Sequence, residues 1–159
     1  MNDAIGMKRI VETSGVLDVN SLYCYLLLCS HFAATCIVAE LRGEIVGFTT
    51  GYLLPERPDV LFVWQIGVHE SVRGKGLGAS MLDTLLARDC CAGIRFLEAT
   101  VTPGNAASKA LFRSLARRSG TACVETPCFG EDVFGDKAHE VENLVRIGPF
   151  SQGKGYNTT

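Results

Sequence analysis

The sequence predicts an α/β protein of the mixed α+β kind, a central, mostly antiparallel twisted sheet flanked by helices. Three observations predict it. Two β-rich runs, TCIVAEL and IVGFTTGYLL, are separated only by RGE, which reads as an antiparallel hairpin. After residue 60 the pattern runs strand, helix, strand, helix, which calls for a parallel pair inside a mixed sheet. The chain has 159 residues, enough for one domain but not comfortably two.

The elements follow in order. Residues 3–14 read as a short helix ending at Gly15. GVLDVN (15–20) is a loop, and Asn20 or Ser21 caps the next helix through its side-chain oxygen. That helix, LYCYLLLCSHF, is apolar nearly all round, so burial is expected. The hairpin comes next. PERPD (55–59) reads as a loop, because Pro55 and Pro58 cannot sit in a central strand. VLFVWQIGV (60–68) is apolar on both sides and belongs in the middle of the sheet. Residues 76–89 form a helix with Leu77, Met81, Leu82, Leu85 and Leu86 on one face. IRFLEATV (94–101) is a strand, and NAASKALFRSLARR (105–118) is an amphipathic helix stopped near Gly120. TACVETPCF and EVENLVRI give two last strands. The expected organisation is one domain over residues 1–150 and a polar, Gly-rich flexible tail over 151–159.

Charge and composition exclude several classes. A net charge of −2 is wrong for a general polyanion binder, so nucleic acid is not an expected partner and any anion site must be local. No apolar stretch reaches the ~20 residues of a membrane helix. The N-terminal MNDAIGMKRIVETSG lacks the basic-then-apolar layout of a secretory signal. The expectation is a cytoplasmic protein with no membrane partner. Seven cysteines, an odd number with no C-x-x-C spacing, read as reduced thiols acting as small hydrophobes. A zinc site from Cys123, Cys128 and His139 fits no common spacing, so no metal is expected.

The stretch VHESVRGKGLGASML (68–82) carries the sharpest signal. RGKGLG follows a buried strand and opens a helix. The first N–H groups of a helix point outward, and its dipole favours negative charge there. Glycines let a ligand approach the backbone closely, and Arg73 and Lys75 add cationic donors. The plain alternative is a tight strand-to-helix turn. A P-loop needs G-x-x-x-x-G-K-[ST], but Leu77 follows Gly76 and no Ser or Thr is placed for magnesium. A Rossmann turn needs G-x-G-x-x-G, whereas Gly74, Gly76 and Gly78 give G-x-G-x-G and two antiparallel strands precede them.

R-x-x-G-x-G, from Arg73 through Gly76 to Gly78, resembles the acyl-CoA loop of the GNAT acetyltransferases. TPGNAASKALF resembles that family's second cofactor segment, where an Asn opens the helix after the next strand. The resemblance covers roughly residues 3–148, and the family's first strand has no counterpart before the first helix. It implies the GNAT fold, with acetyl-CoA as cosubstrate and no covalent enzyme intermediate. Carried over residue by residue, it puts Ile66, Val68, Arg73, Gly74, Lys75, Gly76, Leu77, Gly78, Asn105 and Ser108 on the cofactor. Further segments, among them PERPDVLFVWQIGV and HEVENLVRIGPF, resemble the branch of the family that acetylates the γ-amine of L-2,4-diaminobutyrate on the way to the solute ectoine. Pairing is common among such domains, and a homodimer is the expected assembly.

Such a substrate carries two ammonium groups and one carboxylate, so it calls for protein carboxylates. Asp18 lies in a loop that in the family covers the acceptor. Glu140 and Glu142, two apart on an expected strand, would share one face, either as a solvated edge or as substrate ligands. These three are the candidate catalytic groups. Trp64 is either plain core or an acceptor wall facing an ammonium, and one of Tyr23 and Tyr25, with Tyr23 the named candidate, is expected to line the pocket. His139 adjoins the Glu pair. Phe112 stands where many GNAT enzymes carry the Tyr that protonates the leaving thiolate, which leaves the acid unassigned. Two other readings share the fold: acetylation of another small diamine or amino acid, and a non-catalytic acyl-CoA-binding module.

Overall fold

The computed structural model describes residues 2–15, 17–134 and 140–151. Helices α1 (Asn2–Ser14) and α2 (Leu22–His31) lead into the hairpin β1 (Ile37–Leu41) and β2 (Glu44–Leu54). Strand β3 (Arg57–Val68) follows, then α3 (Leu77–Leu86), β4 (Phe96–Val101) and α4 (Ala106–Arg118). The chain closes with β5 (Ala122–Phe129), the single turn α5 (Glu131–Phe134) and β6 (Glu142–Gly148). The six strands form one sheet in the order β1-β2-β3-β4-β6-β5. Every neighbouring pair is antiparallel except β3 with β4. The mixed, mostly antiparallel sheet expected from the sequence is the one found.

Two cores form on the two faces of this sheet. One holds Leu61, Val63, Leu82, Leu85, Leu97, Phe112, Leu115 and Ile147, packing α3 and α4 onto the sheet. The other holds Met7, Ile10, Val11, Tyr25, Leu28 and Phe48, under α1 and α2. Full burial of one such aliphatic side chain stabilises by about 1.5–3 kcal/mol.

Several sequence expectations need correction at the ends of elements. Ser21, not Asn20, caps α2: its Oγ accepts from the Cys24 N–H at 3.3 Å. Helix α2 buries Tyr25 and Leu28 but leaves Leu22 and Tyr23 exposed, because its inner face alone meets α1 and the sheet. Pro58 lies inside β3 rather than in a loop. It tolerates the strand because it precedes the first pairing to β4, Val60 with Phe96, so no partner there asks for its missing N–H. Pro127 sits in β5, an edge strand, where proline is allowed. Glu140 precedes β6, since the last cross-strand partner on the β5 side is Phe129 opposite Glu142. The shared strand face expected for Glu140 and Glu142 is therefore not what brings them together.

Among the cysteines only Cys91 is fully buried, and Cys128 is exposed. Burial and the neighbouring Cys90 push the Cys91 thiol up to about 12. Among the described residues no group of three His, Cys, Asp or Glu side chains is placed to hold a metal ion, and no helix is long and apolar enough to cross a membrane. His139 and the tail from residue 152 lie outside the described residues.

The joint between β3 and β4 positions the site. These strands pair at only three positions, Val60–Phe62 against Phe96–Glu98. Beyond them, β3 runs on to Val68 and β4 to Val101 without partnering each other. A β-bulge falls where they part: pairing with β2 steps from Gly51 opposite Val63 to Thr50 opposite Gln65, leaving Trp64 as the extra residue. A bulge bends its strand and increases its twist, and here it opens a wedge in the sheet. The paired end is pinned by Glu98, 1% exposed. Arg57 grips its carboxylate at two oxygens, both at 2.9 Å, and Arg146 at 2.6 Å.

Candidate active site

A cavity of about 680 Å³ fills the wedge, an ordinary size for a small-ligand site. Its walls come from five places. The loop after α1 gives Leu17, Asp18 and Asn20, and β3 gives Val63–Ile66. The end of β4 gives Ala99–Thr102, and the start of α4 gives Asn105, Ser108 and Phe112. Glu140 and Glu142 complete the ring.

The backbone of β3 presents donors to the wedge. His69 N–H donates to the Val46 carbonyl across β2 at 2.8 Å. Backbone groups alternate sides along a strand, so Gln65 and Gly67 also face β2. The N–H and C=O groups of Ile66 and Val68 then face the gap. The Val68 carbonyl is engaged there by Arg73 Nε at 3.0 Å.

The glycine turn is built as a helix start with no cap of its own. Gly76 is the N-cap, at φ 78°, and Gly74 has φ 74°. This left-handed region costs an L-residue with a Cβ about 1–2 kcal/mol. Among the described residues no side chain caps α3, and its first backbone bond runs from Ser80 N–H to the Gly76 carbonyl at 3.0 Å. The amides of Leu77, Gly78 and Ala79 thus have no partner within the helix. Among the described residues nothing stands within 4 Å of the position a Cβ would take at Gly74 or Gly76. Lys75 Nζ leans back on the Ser71 carbonyl at 3.1 Å. An uncapped positive helix end, open space and two cations fit a pyrophosphate. By contrast, α4 is capped internally: Asn105 Oδ1 accepts from Ser108 N–H at 3.0 Å.

The acceptor candidates divide. Asp18, Trp64, Glu140 and Glu142 all line the cavity. Trp64 is 37% exposed, a wall rather than core. Oε2 of Glu142 is enclosed, whereas Glu140 is exposed at the rim. A methyl group at Gly104 would stand 3.5 Å from Glu140 Oε2, so the carboxylate lies over the turn that opens α4. Tyr23, 68% exposed, lies outside the cavity wall. Phe112 is 3% exposed and offers the cavity only its ring.

Sequence reasoning missed Gln65, 6% exposed, and the hydroxyls of Thr100 and Thr102. A polar residue amid the apolar run of residues 60–68 was the available signal for Gln65.

Comparison with known proteins agrees with this geometry. A family model described as the acetyltransferase (GNAT) family matches residues 11–116. The chain is 47% identical over 152 residues to the L-2,4-diaminobutyric acid acetyltransferase of Marinococcus halophilus, covering 96% of this chain and 88% of the relative. It is 50% identical over 151 residues to the enzyme of the same name from Bordetella parapertussis, covering 94% and 81%. Among solved structures, it is similar to diaminobutyrate acetyltransferase EctA from Paenibacillus lautus, in complex with its substrate L-2,4-diaminobutyric acid and coenzyme A. The TM-score is 0.91 at 40% identity, over 97% of this chain and 93% of that one.

Proposed function

The chain belongs to the GNAT acetyltransferase family, and from that premise we propose that it transfers an acetyl group from acetyl-CoA to the γ-amine of L-2,4-diaminobutyrate, a step of ectoine synthesis. The observation that carries this reading is one cavity lined by three carboxylates and an indole, in a sheet wedge whose exposed strand edge leads to an uncapped, glycine-built helix start. The relatives' names and the complex of the Paenibacillus lautus enzyme support it.

Each part has a role. The amides of residues 77–79, with Arg73 and Lys75, hold the pyrophosphate of the donor, and Asn105 and Ser108 border its reactive end. The backbone N–H of Ile66 or Val68 faces the thioester oxygen and stabilises the charge that develops there. Asp18 and Glu140, at the rim, take the α-ammonium, and the Trp64 ring forms the wall beside it. The α-nitrogen is then occupied, and the far nitrogen enters toward the thioester. Glu142, the more enclosed carboxylate, receives one proton from the γ-ammonium, directly or through water. The neutral nitrogen attacks the carbonyl carbon, the C–N bond forms and the C–S bond breaks. The sulfur leaves as thiolate and is protonated by the nitrogen's second proton through solvent. Phe112 has no proton to give, and a thiol of ordinary pKa near 8.5 can leave without one. A homodimer in the cytoplasm, where acetyl-CoA and reduced thiols coexist, completes the proposal.

The test is proton NMR of the product after incubation with acetyl-CoA and L-2,4-diaminobutyrate, beside a panel of other amines. We expect acetyl on the γ-nitrogen and a strong preference over monoamines. Acetyl on the α-nitrogen, or equal rates with simple monoamines, overturns the assignment.

A further inference from the structure

We infer that Gln65 is a positioning residue: its buried carboxamide fixes the acceptor loop, and with it Asp18, against the cavity. The kinetic half of this inference rests on the function proposed above; the structural half does not.

The loop residues Leu17, Asp18 and Asn20 line the cavity, yet their nearest sheet strand is remote in sequence. Gln65 joins the two. Its Nε2 donates to the Asp18 carbonyl at 3.0 Å, across 47 positions. Its Oε1 accepts from the Tyr25 hydroxyl at 3.1 Å. Asn20 reinforces the loop end: its Nδ2 donates to the same Asp18 carbonyl at 3.3 Å. The backbone that carries this carboxamide is itself anchored, because the Gln65 main-chain N–H donates to Thr50 Oγ1 at 3.2 Å.

This chain of bonds has one satisfied pattern. A carbonyl oxygen only accepts, so the group facing Asp18 must be the amide nitrogen of Gln65. The amide oxygen then takes the phenol proton. Tyr25 is 0% exposed, and desolvation raises its pKa, so the phenol remains a donor through the neutral range. Gln65 also directly follows the bulged Trp64. One local distortion of β3 therefore sets both the aromatic wall and the anchor of the opposing loop. A Glu at 65 would face an acceptor with an acceptor and bury a charge. A Leu would keep most of the volume and lose both bonds, removing the acceptor of the Tyr25 hydroxyl and one of the two side-chain donors to the Asp18 carbonyl.

The experiment compares full-length Gln65→Leu, Gln65→Glu and Tyr25→Phe with the parent chain by two readouts. The first is amide hydrogen exchange, which needs no substrate. We expect residues 17–20 to exchange at least tenfold faster in Gln65→Leu while α3 and α4 keep their protection. The second is steady-state kinetics with diaminobutyrate. The amine KM should rise at least tenfold in both Gln65 variants, while the KM for acetyl-CoA stays within twofold and kcat falls far less than the amine KM rises. Tyr25→Phe should show the same split at a few-fold size; if the Gln65 variants do not fold, it carries the test. Unchanged exchange at residues 17–20 in a folded variant, or equal rises in both KM values, overturns the inference. Absence of diaminobutyrate acetylation by the parent chain would defeat the function reading, and the exchange result would still decide the role of Gln65.

Discussion

Trp64 and Gln65 are consecutive, yet they differ in how far the sequence discloses them. A lone Trp in an apolar strand admits two readings, and the bulge decides for the cavity wall. Gln65 has its partners 40 and 47 positions away, so no spacing rule finds it. The glycine turn was legible because its donors are consecutive in sequence and its chemistry is local. That locality makes it testable. At Gly76, φ 78°, valine adds left-handed strain of about 1–2 kcal/mol and a branched side chain in the open space before α3. Gly76→Val should melt about 2–8 °C lower but remain folded, and calorimetry should show acetyl-CoA binding lost. A folded variant with parental affinity would remove the pyrophosphate from this turn. The carboxylates separate by depth. Asp18→Asn, at the rim, should raise the amine KM about tenfold with kcat nearly kept. Glu142→Gln should lower kcat by about 10²-fold or more, the low end of general-base effects. Initial rates over a range of amine concentrations check both, and a reversed pattern would exchange their roles.

At the scale of elements, the sequence located the middles of strands and helices and mislaid their ends. Periodicity is a property of the middle, whereas an end is set by what stops pairing. Pro58 entered β3 because its neighbour strand begins two residues later, and Glu140 fell outside β6 because β5 supplies no partner beyond Phe129. The ion pairs that join α4 to β5 were equally invisible, since their partners lie on different elements. Glu125 on β5 meets Lys109 at 2.8 Å and Arg113 at 3.8 Å, and accepts from Asn143 Nδ2 at 2.9 Å. The hydrogen bond from Lys109, then that from Asn143, hold its carboxyl below the usual range. A carboxyl lowered on folding stabilises fully above its unfolded pKa of ~4.3 and loses that contribution as pH falls through the folded value. Glu125→Gln should therefore melt below the parent at pH 7, and the gap should close as the pH is taken below about 4. Thermal melts at pH 7, 5, 4 and 3 check it. A gap that persists at pH 3 would mean that packing, not charge, holds this corner.

Over the whole molecule, the hairpin and a parallel pair inside a mixed sheet were within reach of sequence reasoning, but the wedge was not. A parallel pair could be expected after residue 60; that it holds for only three positions follows from register and a one-residue bulge. The consequence is a sheet of two parts, β1–β2–β3 and β4–β6–β5, joined at one end by that pairing and by the clamp of Arg57 and Arg146 on Glu98. At the other end the two parts face each other across the cavity. On the function proposed above, a donor seated there would touch both, with its pyrophosphate on α3 and its thioester between the edges of β3 and β4. Binding to the folded state alone stabilises by RT ln(1 + [L]/Kd), about 2.7 kcal/mol at a hundredfold excess over Kd. For a chain of this length that corresponds to a rise of roughly 5–10 °C in Tm. Coenzyme A at that excess should give such a shift in the parent chain and in Gln65→Leu, whose cofactor wall is untouched, and none in Gly76→Val. The same ligand should slow amide exchange on β3 between Gln65 and Val68, the edge left without a strand partner. A shift in Gly76→Val equal to the parent's, or protection confined to β1 and β2, would show that the donor does not lie in the wedge.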